Sequence, residues 1–137
     1  LDSNVFIYAV IADEKTEPKS RLAKRILIET AQGKLKAATC ALTWDELVWS
    51  IKKIEGQEIA SIEGRKLINF PNLKILNVNY DAILEAQRLA EKYNLKPRDA
   101  IHAGCAIKNK INEIISDDPD FDKVEELKRK RLEKFDA

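Results

Sequence analysis

Residues 35–56, LKAATCALTWDELVWSIKKIEG, change period once, and that change decides the fold class. LKAATCAL at 35–42 reads as a short strand. From Thr43 the apolar positions Trp44, Leu47, Val48, Ile51 and Ile54 recur every three or four residues until Gly56. That spacing lines one face of a helix, and glycine is a common stop. A strand running directly into a helix of this length is a βα unit.

The same alternation extends in both directions. VFIYAV at 5–10 is predicted as a buried strand. A helix from Pro18-Lys19-Ser20 follows, with Leu22, Ala23, Ile26, Leu27 and Ala31 on its apolar stripe and Gly33 at its end. Beyond Gly56 comes a helix over about 57–70, closed by Pro71, and then a third strand, LKILNV at 73–78. Ala82, Ile83, Ala86, Leu89, Ala90 and Tyr93 share one face of the next helix, and Pro97 opens another over 98–109. NEIIS at 112–116 is the fourth strand, and the tail from Lys123 reads as a charged terminal helix. Strands separated by helices of ten or more residues pair in parallel through right-handed crossovers. The expected architecture is α/β, a three-layer α/β/α sandwich on a short, mainly parallel sheet, in a single domain spanning residues 1–137.

Composition excludes several classes of function. The 24 basic and 23 acidic residues leave a net charge of +1, so any nucleic acid would have to meet a local patch. No apolar run approaches the roughly 18 residues of a membrane span. No signal-peptide pattern is visible, so the cytoplasm is the expected location. Cys40 and Cys105 show no metal-site or disulfide-framework spacing, and both read as small buried hydrophobes. The chain contains no Met, so Leu1 is expected to lie within the first strand, with residues before it.

Acidic residues gather where this architecture collects ligands, at the carboxyl ends of strands. Asp2 sits beside the first apolar run, Glu46 in the first turn of the helix after the second strand, and Asp99 in the first turn after Pro97. Asp117, Asp118 and Asp120 follow the fourth strand directly. Carboxylates clustered this way need a cation, and oxygen donors without His or Cys select Mg²⁺ or Mn²⁺. Each acid also has a plainer role. Thr43 and Glu46 have capping-box spacing, Asp99 suits the first turn of a helix, and SDDPDFD at 116–122 has the make-up of an acidic turn. His102, the only histidine, reads as structural, and Trp44 and Trp49 as packing or partner-contact residues. The run Lys128-Arg129-Lys130-Arg131 is either a solvated helix face or a phosphate-contacting patch.

Together, LDSNVFIYA at 1–9, Glu46 within TWDELVWS, PRDAIHA at 97–103 and ISDDPDFD at 115–122 resemble the PIN domain family in content and order. The resemblance covers essentially the whole chain and is closest to the small prokaryotic, toxin-type (VapC-like) PIN ribonucleases. It implies a Mg²⁺- or Mn²⁺-dependent endoribonuclease using one or two ions. Asp2, Glu46, Asp99 and Asp118 would be the catalytic, metal-binding acids, supported by Asn4, Ser116, Asp117 and Asp120. The doubled Asp117-Asp118 leaves two registers for the fourth acid. Lys96, Arg98, Lys128, Arg129, Lys130 and Arg131 are the candidates to contact RNA. The resemblance also implies a homodimer and, for toxin members, an antitoxin protein, with the surface around Trp49 or Phe70 as a contact. Two other readings compete. A haloacid-dehalogenase-type phosphatase would need a second carboxylate where Asn4 stands, and a PIN-like interaction module would be catalytically silent.

Overall fold

The first apolar run folds as a helix, not as the expected strand. In the computed structural model, which describes residues 1–11 and 18–136, α1 spans Ser3–Ile11 and buries Val5 and Phe6. Leu1 and Asp2 lead into it, and their backbone nitrogens bond outward in strand fashion. Leu1 N donates to Ala38 O at 2.6 Å, and Asp2 N donates to Ile115 O at 3.0 Å. A six-residue apolar run fits a buried helix as well as a buried strand, because periodicity does not separate the two.

The remaining order follows the expected alternation. After α2 (Pro18–Ala31) come β1 (Ala37–Cys40), α3 (Leu42–Glu55), α4 (Gln57–Ile68) and β2 (Leu73–Leu76). Then follow α5 (Tyr80–Tyr93), α6 (Pro97–Lys108) and β3 (Glu113–Ile115). The Asn79 side chain caps α5 by accepting from Ala82 N, and Pro97 opens α6 at the position where its missing N–H costs nothing. The tail departs from expectation. In place of a terminal helix it forms a 3₁₀ turn (Pro119–Lys123), strand β4 (Lys128–Lys130) and a second 3₁₀ turn (Leu132–Asp136). Leu127 and Leu132 anchor β4 at both ends, while the charges between them belong to a three-residue strand. Such a charged strand blunts the sheet's outer edge against further pairing.

β1 pairs in parallel with β2, aligning Ala37 with Leu73 and Cys40 with Leu76. β3 pairs in parallel with β4, aligning Glu113 with Lys128 and Ile115 with Lys130. Leu1 and Asp2 lie between the two pairs and join β1 to β3 through the bonds above. Helices cover both faces. Ile115 packs with a core drawn from α1–α4 that includes Val5, Phe6, Ile26, Leu47 and Ile51. Ile114 packs with Leu89, Ala100, Ala103, Phe121 and Val124 on the α5–α6 side.

α5 and α6 approach so closely that no side chain fits between them at Gly104. A Cβ there would lie 3.0 Å from Ala82 O and 3.1 Å from Ala86 N, and backbone atoms cannot rotate away. Gly104→Val is expected to destabilise the fold by about 1–3 kcal/mol through overpacking, measured by urea unfolding.

Candidate metal centre

The acids come from the Leu1–Asp2 segment, the amino-terminal ends of α3 and α6, and the turn after β3. Asp2 is 6% exposed and held from two sides. Ser3 N donates to its Oδ1 at 2.7 Å, and Ser116 Oγ donates to its Oδ2 at 2.6 Å. Ser116 is fully buried and uses its full bonding capacity. Its Oγ also accepts from Asn4 Nδ2 at 3.3 Å and from Asp118 N at 3.0 Å. One hydroxyl therefore sets the positions of Asp2, Asn4 and the chain entering Asp118. Asp118 Oδ1 in turn accepts from Asp120 N at 2.9 Å, turning the chain into the 3₁₀ segment.

Asp99, Asp118 and Asp120 converge, each offering a carboxylate oxygen within 4.8 Å of the other two. Asp99 Oδ2 is buried and has no hydrogen-bond partner among the described residues. Burial raises the Asp99 pKa from 3.8 to about 6, with the charges of Asp118 and Asp2 adding to the rise. An orphaned buried carboxylate oxygen beside two further carboxylates has the make-up of a hard-cation site, and the all-oxygen donor set fits a divalent ion.

Glu46 lies apart from that trio. It does not complete a capping box: Ala41 occupies the N-cap with no side-chain bond to the helix, and Thr43 is buried with its Oγ1 2.7 Å from Thr39 Oγ1. The Glu46 carboxylate instead bonds His102 Nε2, which also lies 3.8 Å from Asp2 Oδ1. Burial of His102 works against its charged form, but the Glu46 hydrogen bond and the Asp2 and Glu46 charges prevail and raise its pKa above 6.5. In the metal-free protein this pairing favours the fold below pH 6.5, and the gain is lost as pH rises through the folded-state pKa. Because His102 is the only histidine, its ring resonances can be followed alone. They are expected to titrate above 6.5 in the metal-free wild type and to fall toward 6.5 in Glu46→Gln.

Asp117 is turned away from the cluster and engaged elsewhere. Its Oδ2 accepts from Tyr8 OH at 3.0 Å and from Lys19 Nζ, tying the turn to α1 and α2. Of the two registers left open by the doubled Asp, Asp118 is the one that joins Asp99 and Asp120. The partners of Asp117 and Glu46 are far away in sequence, so neither pairing could be read from local spacing. His102 had a signal in its position one turn after Asp99.

The basic candidates fall in two places, Lys96 and Arg98 beside α6 and the 128–131 run, which lines one groove with Lys134. Lys96 and Arg98 are exposed near the start of α6, with Arg98 Nη2 3.9 Å from Asp45 Oδ2. Arg129 points inward. Its guanidinium makes a two-pronged bond to Asp122 at 2.9 and 3.0 Å and reaches Ser116 O at 3.2 Å. Lys128 pairs with Glu113 at the amino end of β3, away from Ser116, and Lys130 Nζ sits 5.0 Å from the Phe135 ring centre. Lys128 and Arg131 are exposed.

The PIN domain family model matches residues 1–127, and the chain belongs to that family. Ribonuclease VapC6 of Methanocaldococcus jannaschii is 37% identical over 60 residues, a match covering 44% of this chain and 39% of that protein. Three solved structures share the fold. A toxin–antitoxin complex from Klebsiella pneumoniae aligns with a TM-score of 0.65 at 22% identity, over 92% of both chains. VapBC2 from Rickettsia felis, bound to a promoter DNA fragment, aligns at 0.70 and 16% identity over 95% of both. DNA-bound VapBC from Salmonella typhimurium aligns at 0.69 and 17% identity, over 96% of this chain and 95% of that one.

Proposed function

We propose that this chain is a divalent-metal-dependent endoribonuclease of the toxin type. The observation that carries the reading is the buried, unpartnered Asp99 Oδ2 within reach of Asp118 and Asp120. Asp2, Asp99 and Asp118 would hold Mg²⁺ or Mn²⁺, with Asp120 supporting them. An ion held there would supply activation of water and neutralisation of charge on a phosphoryl group. Glu46, held by His102, orients the attacking water and takes up its proton. Ser116 and Asn4 fix the geometry of Asp2. The exposed Lys96 and Arg98 flank the amino end of α6 and are placed to meet the RNA backbone as it approaches an otherwise acidic pocket.

The partially matched archaeal ribonuclease and the toxin–antitoxin neighbours support the same reading and an antitoxin partner. The groove between α3 and α4, about 560 Å³ and lined by Trp44, Val48, Trp49, Gly64 and Ile68 among others, is the surface we assign to that partner. For a homodimer, exposed Tyr80, Ile83 and Leu84 form one apolar face at the start of α5. A haloacid-dehalogenase-type reaction is disfavoured because Asn4 donates to Ser116 where that chemistry needs a second carboxylate.

The test is cleavage of a mixed-sequence single-stranded RNA with Mn²⁺ or Mg²⁺, with EDTA and Asp99→Asn as controls. Metal-dependent cutting lost in the variant supports the nuclease. Folded wild type that binds the ion and cuts no RNA overturns it in favour of a silent module.

A further inference from the structure

The two cysteines, 65 positions apart in sequence, meet inside the fold. Cys40 ends β1 and Cys105 lies in the last turn of α6, 4% and 0% exposed. Their sulfurs are 3.2 Å apart, and both are free thiols. Around them pack Leu76 and Ala82, so the pair lies in a small core of its own between the sheet and α5–α6. About 1 Å of side-chain movement would bring the sulfurs to bonding distance. Beside Cys40 and His102 lies a void of about 30 Å³. A void needs roughly 10–15 Å³ to hold a water molecule, so hydrogen peroxide fits where a peptide disulfide does not. Either sulfur can donate to the other, and this contact lowers the Cys40 pKa and favours its thiolate.

We infer that Cys40 and Cys105 are a modification site, closed to an intramolecular disulfide by a hydroperoxide. The Cys40 thiolate attacks one peroxide oxygen, the O–O bond breaks, and hydroxide leaves to become water on protonation. The Cys40 sulfenic acid formed is attacked by the Cys105 sulfur. The S–S bond forms, and the sulfenic oxygen departs as a second water carrying the remaining thiol proton. Overall two thiols lose two electrons and two protons, and one peroxide is reduced to two waters. The product bolts the end of β1 to α6 and closes a long loop. It is a reversible covalent clamp on the fold and does not depend on the nuclease reading.

The experiment treats the native wild-type chain with hydrogen peroxide, quenches, alkylates remaining thiols after denaturation, and maps peptides by mass. The expected result is joint loss of both thiols, a Cys40–Cys105 cross-linked peptide that a reductant releases, and a melting temperature raised by on the order of 10 °C. In Cys105→Ser the sulfenic acid is expected to persist on Cys40 and to react with a dimedone probe, whereas Cys40→Ser leaves Cys105 unlabelled. Cys40 carried on to sulfinate beside a free Cys105, cross-links only between chains, or two thiols intact at peroxide levels that oxidise a free-cysteine peptide would each overturn the inference. The wild-type arm needs no variant to fold.

Discussion

Asp99→Asn is expected to lower RNA cleavage by on the order of 10³-fold while making the metal-free protein more stable at pH 7. The two effects share one cause. Asp99 Oδ2 is buried without a hydrogen-bond donor, and Asp118 and Asp2 add negative charge beside it. Its folded-state pKa of about 6 lies above the ordinary 3.8, so the fold prefers the protonated form. The penalty for ionising it is absent well below pH 3.8, grows as pH rises from there to about 6, and is complete at pH 7. The asparagine never ionises and escapes that penalty. With partial screening by solvent, the gain is about 1–2 kcal/mol. Urea unfolding in EDTA at pH 4 and pH 7 measures it, the variant lying close to wild type at the lower pH and exceeding it more at the higher. Adding Mn²⁺ should reverse the ranking, because only the wild type keeps the full carboxylate set. An Asp99→Asn protein no more stable than wild type in EDTA would show that Asp99 has a hydrogen-bonding partner in solution.

Ser116→Ala is expected to destabilise the fold by about 2–4 kcal/mol and to cut activity by about 10–100-fold, although no candidate ligand is removed. The Ser116 hydroxyl is a donor to Asp2 and an acceptor for Asn4 Nδ2 and Asp118 N, all at a fully buried position. Alanine leaves a carboxylate short of a donor and two N–H groups short of an acceptor. Water cannot replace the hydroxyl without opening the site. Metal affinity by titration separates this role from packing: a Ser116 that only fills space would leave affinity unchanged, whereas one that positions Asp2 and Asp118 would lower it.

The βα alternation was legible because most helices here carry a stripe and end at Gly or before Pro, as at Gly56 and Pro71. The two departures arise where local pattern is mute. Residues 5–10 are apolar throughout, and the extended stretch stops at Asp2, whose oxygens take Ser3 N and Val5 N as the helix starts. The tail carries dense charge and few apolar residues, so its strand depends on Leu127 and Leu132 reaching cores that only the fold assembles. At the site, acid type and approximate position could be read because strand–helix junctions are local. Pairings could not. Glu46 with His102, and Asp117 with Lys19 and Tyr8, join residues at least 56 positions apart.

The segment of Leu1 and Asp2 has a mechanical consequence. Each side of the sheet has its own core, and the acids are divided between them. Asp2 and Glu46 belong to elements packed in the α1–α4 core, and Asp99 and Asp118 to elements of the α5–α6 core. Between them runs a seam joined by the backbone of Leu1 and Asp2 and by the side chains of Ser116, Asp117 and His102. Without a counter-ion, Asp2 and Asp99 repel each other across that seam. A cation there would act as a keystone, turning repulsion between two blocks into compression and coupling the rigidity of the molecule to readiness of its acidic pocket.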